Sequence, residues 1–171
     1  MLKPTRIAAF AAVAVLCAVA LAACGQKKEP ATATYDLSAA SNTRFLAANQ
    51  AKERVKTLPD GLQYRVIKSG SGMSPKSGAD IVTVTYKGWL INGKVFDQTQ
   101  EGQTASFPAG RLIPGWVEAL RLMKEGDEWE LVIPSSLGYG ADGAGDAIPP
   151  NQTLMFDMTL LQVTPEAPPS P

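Results

Sequence analysis

Residues 80–97 read DIVTVTYKGWLINGKVFD and contain the clearest strand pattern in the chain. Apolar and polar residues alternate along its first part, which places Val82 and Val84 on the same face of an extended chain. The Asn-Gly pair at 92–93 favours a two-residue β-turn, because both residues tolerate positive φ. The stretch therefore predicts a β-hairpin whose first strand, residues 80–91, has one buried face.

Similar alternation recurs on both sides of this hairpin, whereas helical spacing occurs in a single short segment. The further predicted strands are residues 62–68, 104–107, 128–133 and 153–163. Residues 114–123 have apolar side chains at helical spacing, and Pro114 suits a first helical turn. A Gly-rich loop at 135–151 is long enough to indicate a functional role. The pattern predicts an α+β fold, with a twisted antiparallel sheet of about five strands wrapped around one short helix.

Composition excludes several classes of function. The chain has no histidine, which removes His-based acid–base catalysis, Ser-His-Asp triads and most zinc sites. Its 16 basic and 16 acidic residues balance, so nothing indicates nucleic-acid binding. Cys17 and Cys24 lie in or beside an N-terminal apolar run, so neither suggests a structural disulfide. We expect no metal and no cofactor.

The N-terminus has the features of a secretory signal. Two basic residues precede an uncharged run at 7–23 that is rich in Ala, Val and Leu. The alternative is a permanent transmembrane anchor, although this run is near the lower limit of the ~20 residues that a spanning helix needs. Residues 21–24 read LAAC, which resembles the lipobox of bacterial lipoproteins. That resemblance implies a signal peptide at 1–23 and acylation of Cys24.

The chain then divides into four further segments. Residues 24–36 are predicted to be a tether, and residues 37–57, which lack Gly and Pro, an N-terminal helix. Its thin apolar face leaves three interpretations open: a docking arm, a dimer arm or a solvated spacer. Residues 58–164 form the predicted globular domain. Residues 165–171 contain four prolines and are predicted to be a disordered tail.

Several short motifs of the globular part occur together in one order. They are VTYKG (84–88), VFD (95–97), LIPGW (112–116), LGYG (137–140), IPPN (148–151) and LMFD (154–157). In this order and spacing they resemble the FKBP family of peptidyl-prolyl cis-trans isomerases, from about residue 61 to residue 163. Residues 45–49 and 61–64 resemble its macrophage infectivity potentiator branch, whose members often dimerise through a longer N-terminal region. We expect a monomer or a weak dimer here.

The resemblance implies an isomerase that acts on X-Pro bonds of exported proteins and assists their folding. Macrolide inhibitors are implied as further ligands. Because the residue after Cys24 is Gly25, resemblance to Gram-negative sorting signals implies an outer-membrane lipoprotein facing the periplasm or the cell surface. The alternatives are a non-catalytic chaperone or surface-binding lipoprotein that uses the same apolar slot, and a structural lipoprotein with a decayed site.

The chemistry of proline isomerisation suits this composition. The barrier to rotation about the amide, about 18–20 kcal/mol, comes from resonance, so no acid, base or metal is needed to cross it. Rotation uncouples the nitrogen lone pair and makes the amide less dipolar, and a dry apolar slot therefore favours the transition state. Such a site requires aromatic walls and a few fixed polar contacts.

The resemblance also assigns roles to individual residues. Catalytic roles fall to Tyr86, Asp97, Ile113 and Tyr139, and substrate contacts to Phe96, Phe107, Leu112, Trp116, Ile148 and Phe156. In this assignment Trp116 is the floor under the proline ring. The Tyr139 hydroxyl and the Ile113 backbone N–H bind substrate carbonyls, and Asp97 contacts the twisting amide or holds Tyr86. The alternative for each aromatic residue is core packing, and for Asp97 it is a turn cap.

Overall fold

The computed structural model describes residues 34–167 of the chain. The predicted signal peptide at 1–23, the predicted lipidation site Cys24, most of the predicted tether and the end of the proline-rich tail lie outside this range. Within residues 34–167 no helix has the length and apolar character needed to cross a membrane.

The fold is built on one antiparallel sheet. Its strands are β1 Lys56–Thr57, β2 Gln63–Lys68, β3 Ile81–Leu90, β4 Val95–Gln98, β5 Ala105–Pro108, β6 Glu128–Ile133 and β7 Leu154–Thr164. The strand order is β1-β2-β6-β7-β3-β4, and β5 also pairs with β3. The predicted antiparallel α+β architecture is confirmed, with seven strands rather than about five. The two-residue β1 is too short for a periodic pattern to reveal, and β4 and β5 pair with different halves of β3.

A short helix, α2 (Pro114–Leu122), covers one face of the sheet, as predicted. Its first residue is Pro114, whose missing N–H costs nothing in a first turn. Gly115 lets the helix approach the sheet, because a Cβ at this position would lie 2.6 Å from Ile133 Cγ2. Leu120 of α2 belongs to the main core cluster, together with residues of the strands that include Val82, Val84, Trp129, Leu131, Ile133, Leu154 and Leu160.

A second helix, α1 (Ala39–Gln50), packs on the opposite face of the sheet. Phe45 forms a small buried cluster with Ile91 and Val132, and Val132 alternates with the two core residues on either side of it in β6. The Ser38 hydroxyl accepts a hydrogen bond from the Ser41 N–H and caps the helix at its start. The structure therefore shows α1 docked on the sheet and not as a solvated spacer.

Buried amides carry much of this docking. The Asn42 side-chain oxygen accepts a hydrogen bond from the Thr153 N–H at 2.7 Å, and its amide nitrogen donates to Gln152 Oε1 at 3.2 Å. At the other end of α1, Asn49 donates to Gln63 Oε1 at 2.9 Å. Polar side chains that are paired in this way can be buried without a large desolvation cost. The thin apolar face of this segment is explained by its polar docking.

The predicted helix at 37–57 is longer than the helix observed. α1 ends at Gln50, and turns then lead to β1. Arg54 in these turns has a positive φ of 63°, a conformation that interrupts regular helix. Because residues 37–57 contain no Gly or Pro, nothing in the sequence indicated that the helix would end at Gln50.

Candidate active site

A cavity of about 430 Å³ opens at one end of the sheet. Side chains from β3, β4, β5 and β7, from the start of α2 and from the loop after β6 converge on it. Its lining residues are Tyr86, Phe96, Asp97, Phe107, Arg111, Leu112, Ile113, Trp116, Tyr139 and Phe156. Nine of the ten site residues predicted from the sequence are in this list, and they come from distant parts of the chain.

Trp116 lies at the centre of the aromatic lining. Its ring is 5.0 Å from Tyr86, 5.1 Å from Phe156 and 6.3 Å from Phe107, measured between centroids and edge to face in each case. Phe96 meets Phe156 edge to face at 5.5 Å. Edge-to-face contact is a preferred geometry for aromatic pairs, so the rings hold one another in place. The result is a rigid apolar slot with Trp116, only 5 % exposed, as part of its wall.

Tyr86 and Asp97 form the polar pair of the cavity. The Tyr86 hydroxyl donates a hydrogen bond to Asp97 Oδ2 at 2.6 Å. Burial raises the pKa of Tyr86 well above its usual range, and the hydrogen bond to Asp97 and the charge of that carboxylate raise it further. Tyr86 therefore stays protonated and remains a donor at physiological pH. The geometry supports the predicted contact in which Asp97 holds Tyr86.

The two donors that the sequence resemblance assigns to substrate carbonyls have no partner within residues 34–167. Within residues 34–167 the Ile113 N–H has no acceptor, because it precedes the first turn of α2, and its own carbonyl accepts from Trp116 and Val117. The Tyr139 hydroxyl also makes no hydrogen bond to this part of the chain, and the side chain is 41 % exposed. Both donors are thus available to a bound peptide.

The loop that carries Tyr139 is ordered by its own backbone. A short 3-10 turn at Ser135–Leu137 begins it, and the Gly140 N–H donates to the Ser135 carbonyl at 2.8 Å. Further on, the Asn151 N–H donates to the Gly140 carbonyl at 2.7 Å. Gly140 has φ +56°, a left-handed conformation that glycine adopts without strain. These bonds fix the backbone on either side of Tyr139 while its ring projects into the cavity.

Ile148 is the predicted substrate contact that does not reach the cavity wall. It is 4 % exposed and belongs to the core beneath the loop. Its backbone forms a two-way bridge with Ala144, with N···O distances of 2.8 Å and 3.1 Å. The bridge directs the Ile148 side chain into the core, and the structure places it in support of the loop.

Two residues at the cavity were not predicted from the sequence. Gly88 lies under the rings of Phe96 and Phe156, and a Cβ there would come within 2.7 Å of both. A glycine inside a strand is a signal of such close approach. Arg111 lines the cavity as its one cation, directly before the LIPGW motif. Nothing in the local pattern distinguishes it from an ordinary surface arginine.

FKBP-like domains are defined by an antiparallel sheet that packs around one short helix and by an aromatic cavity beside that helix. The described chain has both features. This chain belongs to the FKBP-type peptidyl-prolyl cis-trans isomerase family, whose model matches residues 72–161. A second model, described as the domain amino terminal to FKBP-type peptidyl-prolyl isomerase, matches residues 9–66.

Individual relatives agree with this assignment. The chain is 46% identical over 125 residues to the outer membrane protein MIP of Legionella longbeachae, covering 72% of this chain and 53% of that protein. It is 49% identical over 117 residues to the FKBP-type isomerase FkpA of Escherichia coli, covering 67% of this chain and 43% of that protein. The chain thus spans about half the length of these curated relatives.

Solved structures confirm the fold. A peptidyl-prolyl cis-trans isomerase from Pseudomonas syringae matches with a TM-score of 0.68 and 40% identity, covering 73% of this chain and 92% of that one. FkpA from Escherichia coli matches with a TM-score of 0.70 and 42% identity, covering 74% of this chain and 59% of that one.

Proposed function

We propose that this chain catalyses the cis-trans isomerisation of X-Pro bonds in polypeptides. The observation that carries the proposal is the aromatic cavity, at whose wall the Ile113 N–H and the Tyr139 hydroxyl lie without a partner within residues 34–167. A proline ring is apolar and fits among aromatic side chains, whereas the carbonyls of the peptide need donors. Membership of the isomerase family supports the same conclusion.

The mechanism is stabilisation of a twisted amide. In the planar ground state the amide is strongly dipolar, and the twisted transition state is less so. Rings of Tyr86, Trp116 and Phe156 exclude water from the proline side of the bond and thereby favour the less dipolar state. Donation from Ile113 and Tyr139 to two carbonyls would hold the flanking peptide while the bond between them rotates.

No proton transfer is required of any residue in this scheme. The raised pKa of Tyr86 keeps its hydroxyl protonated, and that hydroxyl is directed at Asp97. Asp97 in turn has a second carboxylate oxygen that makes no hydrogen bond within residues 34–167. We propose that this oxygen faces the rotating amide, while Oδ2 fixes the Tyr86 ring.

The test is catalysed cis-to-trans conversion of a Leu-Pro peptide by the full chain in mild detergent, beside Asp97→Leu. The uncatalysed reaction takes tens to hundreds of seconds, so a modest catalyst is visible above it. Asp157→Leu is the matched control, because Asp157 is exposed on β7 and lies outside the cavity. We expect fast conversion by the unmodified chain and the control, and a large loss in Asp97→Leu.

Absence of conversion by the folded chain would overturn the proposal and favour the non-catalytic chaperone or surface-binding lipoprotein. Equal losses in Asp97→Leu and Asp157→Leu would remove Asp97 from the site.

We also propose that the enzyme is a lipoprotein of the bacterial outer membrane, facing the periplasm or the cell surface, with exported polypeptides as substrates. The LAAC sequence at 21–24 supports this, and one relative is named an outer membrane protein. Several acyl chains, at ~0.8 kcal/mol per buried methylene, would hold it stably on the membrane. In a Gram-negative host, fatty-acid labelling of the full chain should be lost in Cys24→Ser but kept in Cys17→Ser. Labelling that persists in Cys24→Ser would contradict the anchor.

A further inference from the structure

Arg111 presents an uncompensated positive charge at the rim of the cavity. Its side chain is exposed, and within residues 34–167 it makes neither a hydrogen bond nor an ion pair. The one ion pair in this part of the chain joins Arg65 and Glu130, on strands β2 and β6. The other charged lining residue, Asp97, already accepts a hydrogen bond from Tyr86.

A second hollow lies on the other side of Arg111. It has a volume of about 410 Å³ and is lined by Gly78, Ala79, Pro108, Gly110 and Arg111. Gly78 and Gly110 are in direct backbone contact, since the Gly110 N–H donates to the Gly78 carbonyl at 2.7 Å. No side chain longer than proline lines this hollow apart from Arg111. A polypeptide that extends from the aromatic cavity past Arg111 would therefore contact the small, uncharged residues of this hollow.

We infer that Arg111 determines specificity, selecting polypeptides that carry an aspartate or glutamate within a few residues of the isomerised proline. This inference rests on the proposed isomerase function and names the substrate class of the same site. The proline occupies the aromatic cavity, and the flanking chain runs toward the hollow lined by Gly78 and Gly110. A substrate carboxylate on that flank then meets the guanidinium, which is the group best suited to bind a carboxylate in two places.

The size of the effect follows from the exposure of Arg111. A solvent-exposed ion pair changes an equilibrium by roughly 1.4- to 5-fold, so we expect selection by charge and not an absolute requirement. Added salt should reduce it, because charges exposed to solvent are screened over about 10 Å at 0.1 M. A lysine on the same flank should be disfavoured by a similar factor.

The experiment compares peptides with one Leu-Pro bond and Glu, Gln or Lys either one residue after the proline or two residues before the leucine. Exchange NMR measures their isomerisation without a protease, whose own charge preference would obscure the result. For the full chain in detergent, we expect kcat/KM to fall in the order Glu, Gln, Lys at one of the two positions, by about 2- to 5-fold between extremes.

Arg111→Glu should invert this order at the same position, and Arg111→Gln should abolish it. Arg121→Glu is the matched control, because Arg121 is an exposed arginine of α2 outside the cavity and should leave the order unchanged. An order that is the same in Arg111→Glu and the unmodified chain would overturn the inference. Failure to isomerise even the Gln peptides would instead sink the proposed function, so the two failures are distinguishable.

Discussion

Single side chains at the cavity make separable contributions, and Tyr139 is the one most easily isolated. Its hydroxyl is free in the structure, and its ring is partly exposed on a loop held by backbone bonds. Tyr139→Phe keeps the ring and removes only the donor. We expect kcat/KM for a Leu-Pro peptide to drop about fivefold, the equivalent of one hydrogen bond of about 1 kcal/mol in the transition state.

Folding stability provides the control for this variant. Because the hydroxyl has no partner within residues 34–167, urea unfolding of Tyr139→Phe should be unchanged. A rate equal to that of the unmodified chain would show that Tyr139 only fills space. A loss of both rate and stability would show that the loop depends on the hydroxyl.

The sequence predicted most of this site because the motifs fix its residue types and their order. The motifs do not predict the direction in which each side chain points in the folded domain. Ile148 lies in a motif, yet a backbone bridge to Ala144 directs it into the core. Arg111 looks like any surface arginine until the sheet curls and brings it to the cavity rim. Those outcomes depend on tertiary geometry, which local patterns do not encode.

Among the elements, α1 is hydrogen-bonded to the end of the loop that carries Tyr139. Asn42 accepts from the Thr153 N–H, and Gln152 donates to the carbonyls of Leu37 and Pro150. Pro150 is near the end of the loop that carries Tyr139. The N-terminal helix is therefore hydrogen-bonded to one end of the loop that carries Tyr139.

Asn42→Ala tests the contribution of this docking to stability. The change leaves the buried Thr153 N–H without an acceptor, which should cost about 1–3 kcal/mol of folding stability. Thr43→Ala is the control on the same helix, since Thr43 is exposed and its hydroxyl bonds back to the Ala39 carbonyl. Urea unfolding measures the difference between the two, and similar midpoints for both variants would contradict the role of the buried amide.

The docking of α1 was open at the sequence level for a physical reason. Hydrophobic periodicity detects apolar faces, whereas this helix buries Ser41, Asn42 and Asn49 beside a single large apolar residue, Phe45. Hydrogen-bonded amides leave no periodic signal. The strands and α2, which bury apolar side chains at regular spacing, were predictable for the opposite reason.

At the scale of the whole molecule, one carboxyl pair links the turn before β2 to the central helix. Hydrogen bonding with Asp60, then partial burial and the charge of Asp60, raise the pKa of Glu118 in α2 to about 7 from its ordinary 4.5. The same bond lowers the pKa of Asp60. The chain has no histidine, so few other side chains titrate near neutral pH.

The opposite pKa shifts of Glu118 and Asp60 determine how the stability of the domain changes with pH. A raised pKa in the folded state means that Glu118 contributes stability that is complete below its ordinary pKa and is lost as the pH rises through about 7. The lowered pKa of Asp60 acts in the other direction, with stability lost only in acid. The pair is therefore most stabilising in mildly acidic solution, and stability should fall between about pH 5.5 and pH 8.

Glu118→Gln removes the titration but keeps a donor for Asp60. Its urea midpoint should change less between about pH 5.5 and pH 8 than that of the unmodified chain, because the amide donates at both values. Glu101→Gln, an exposed loop substitution, should retain the full pH dependence. An unchanged slope in Glu118→Gln would show that the carboxyl pair does not govern stability near neutral pH.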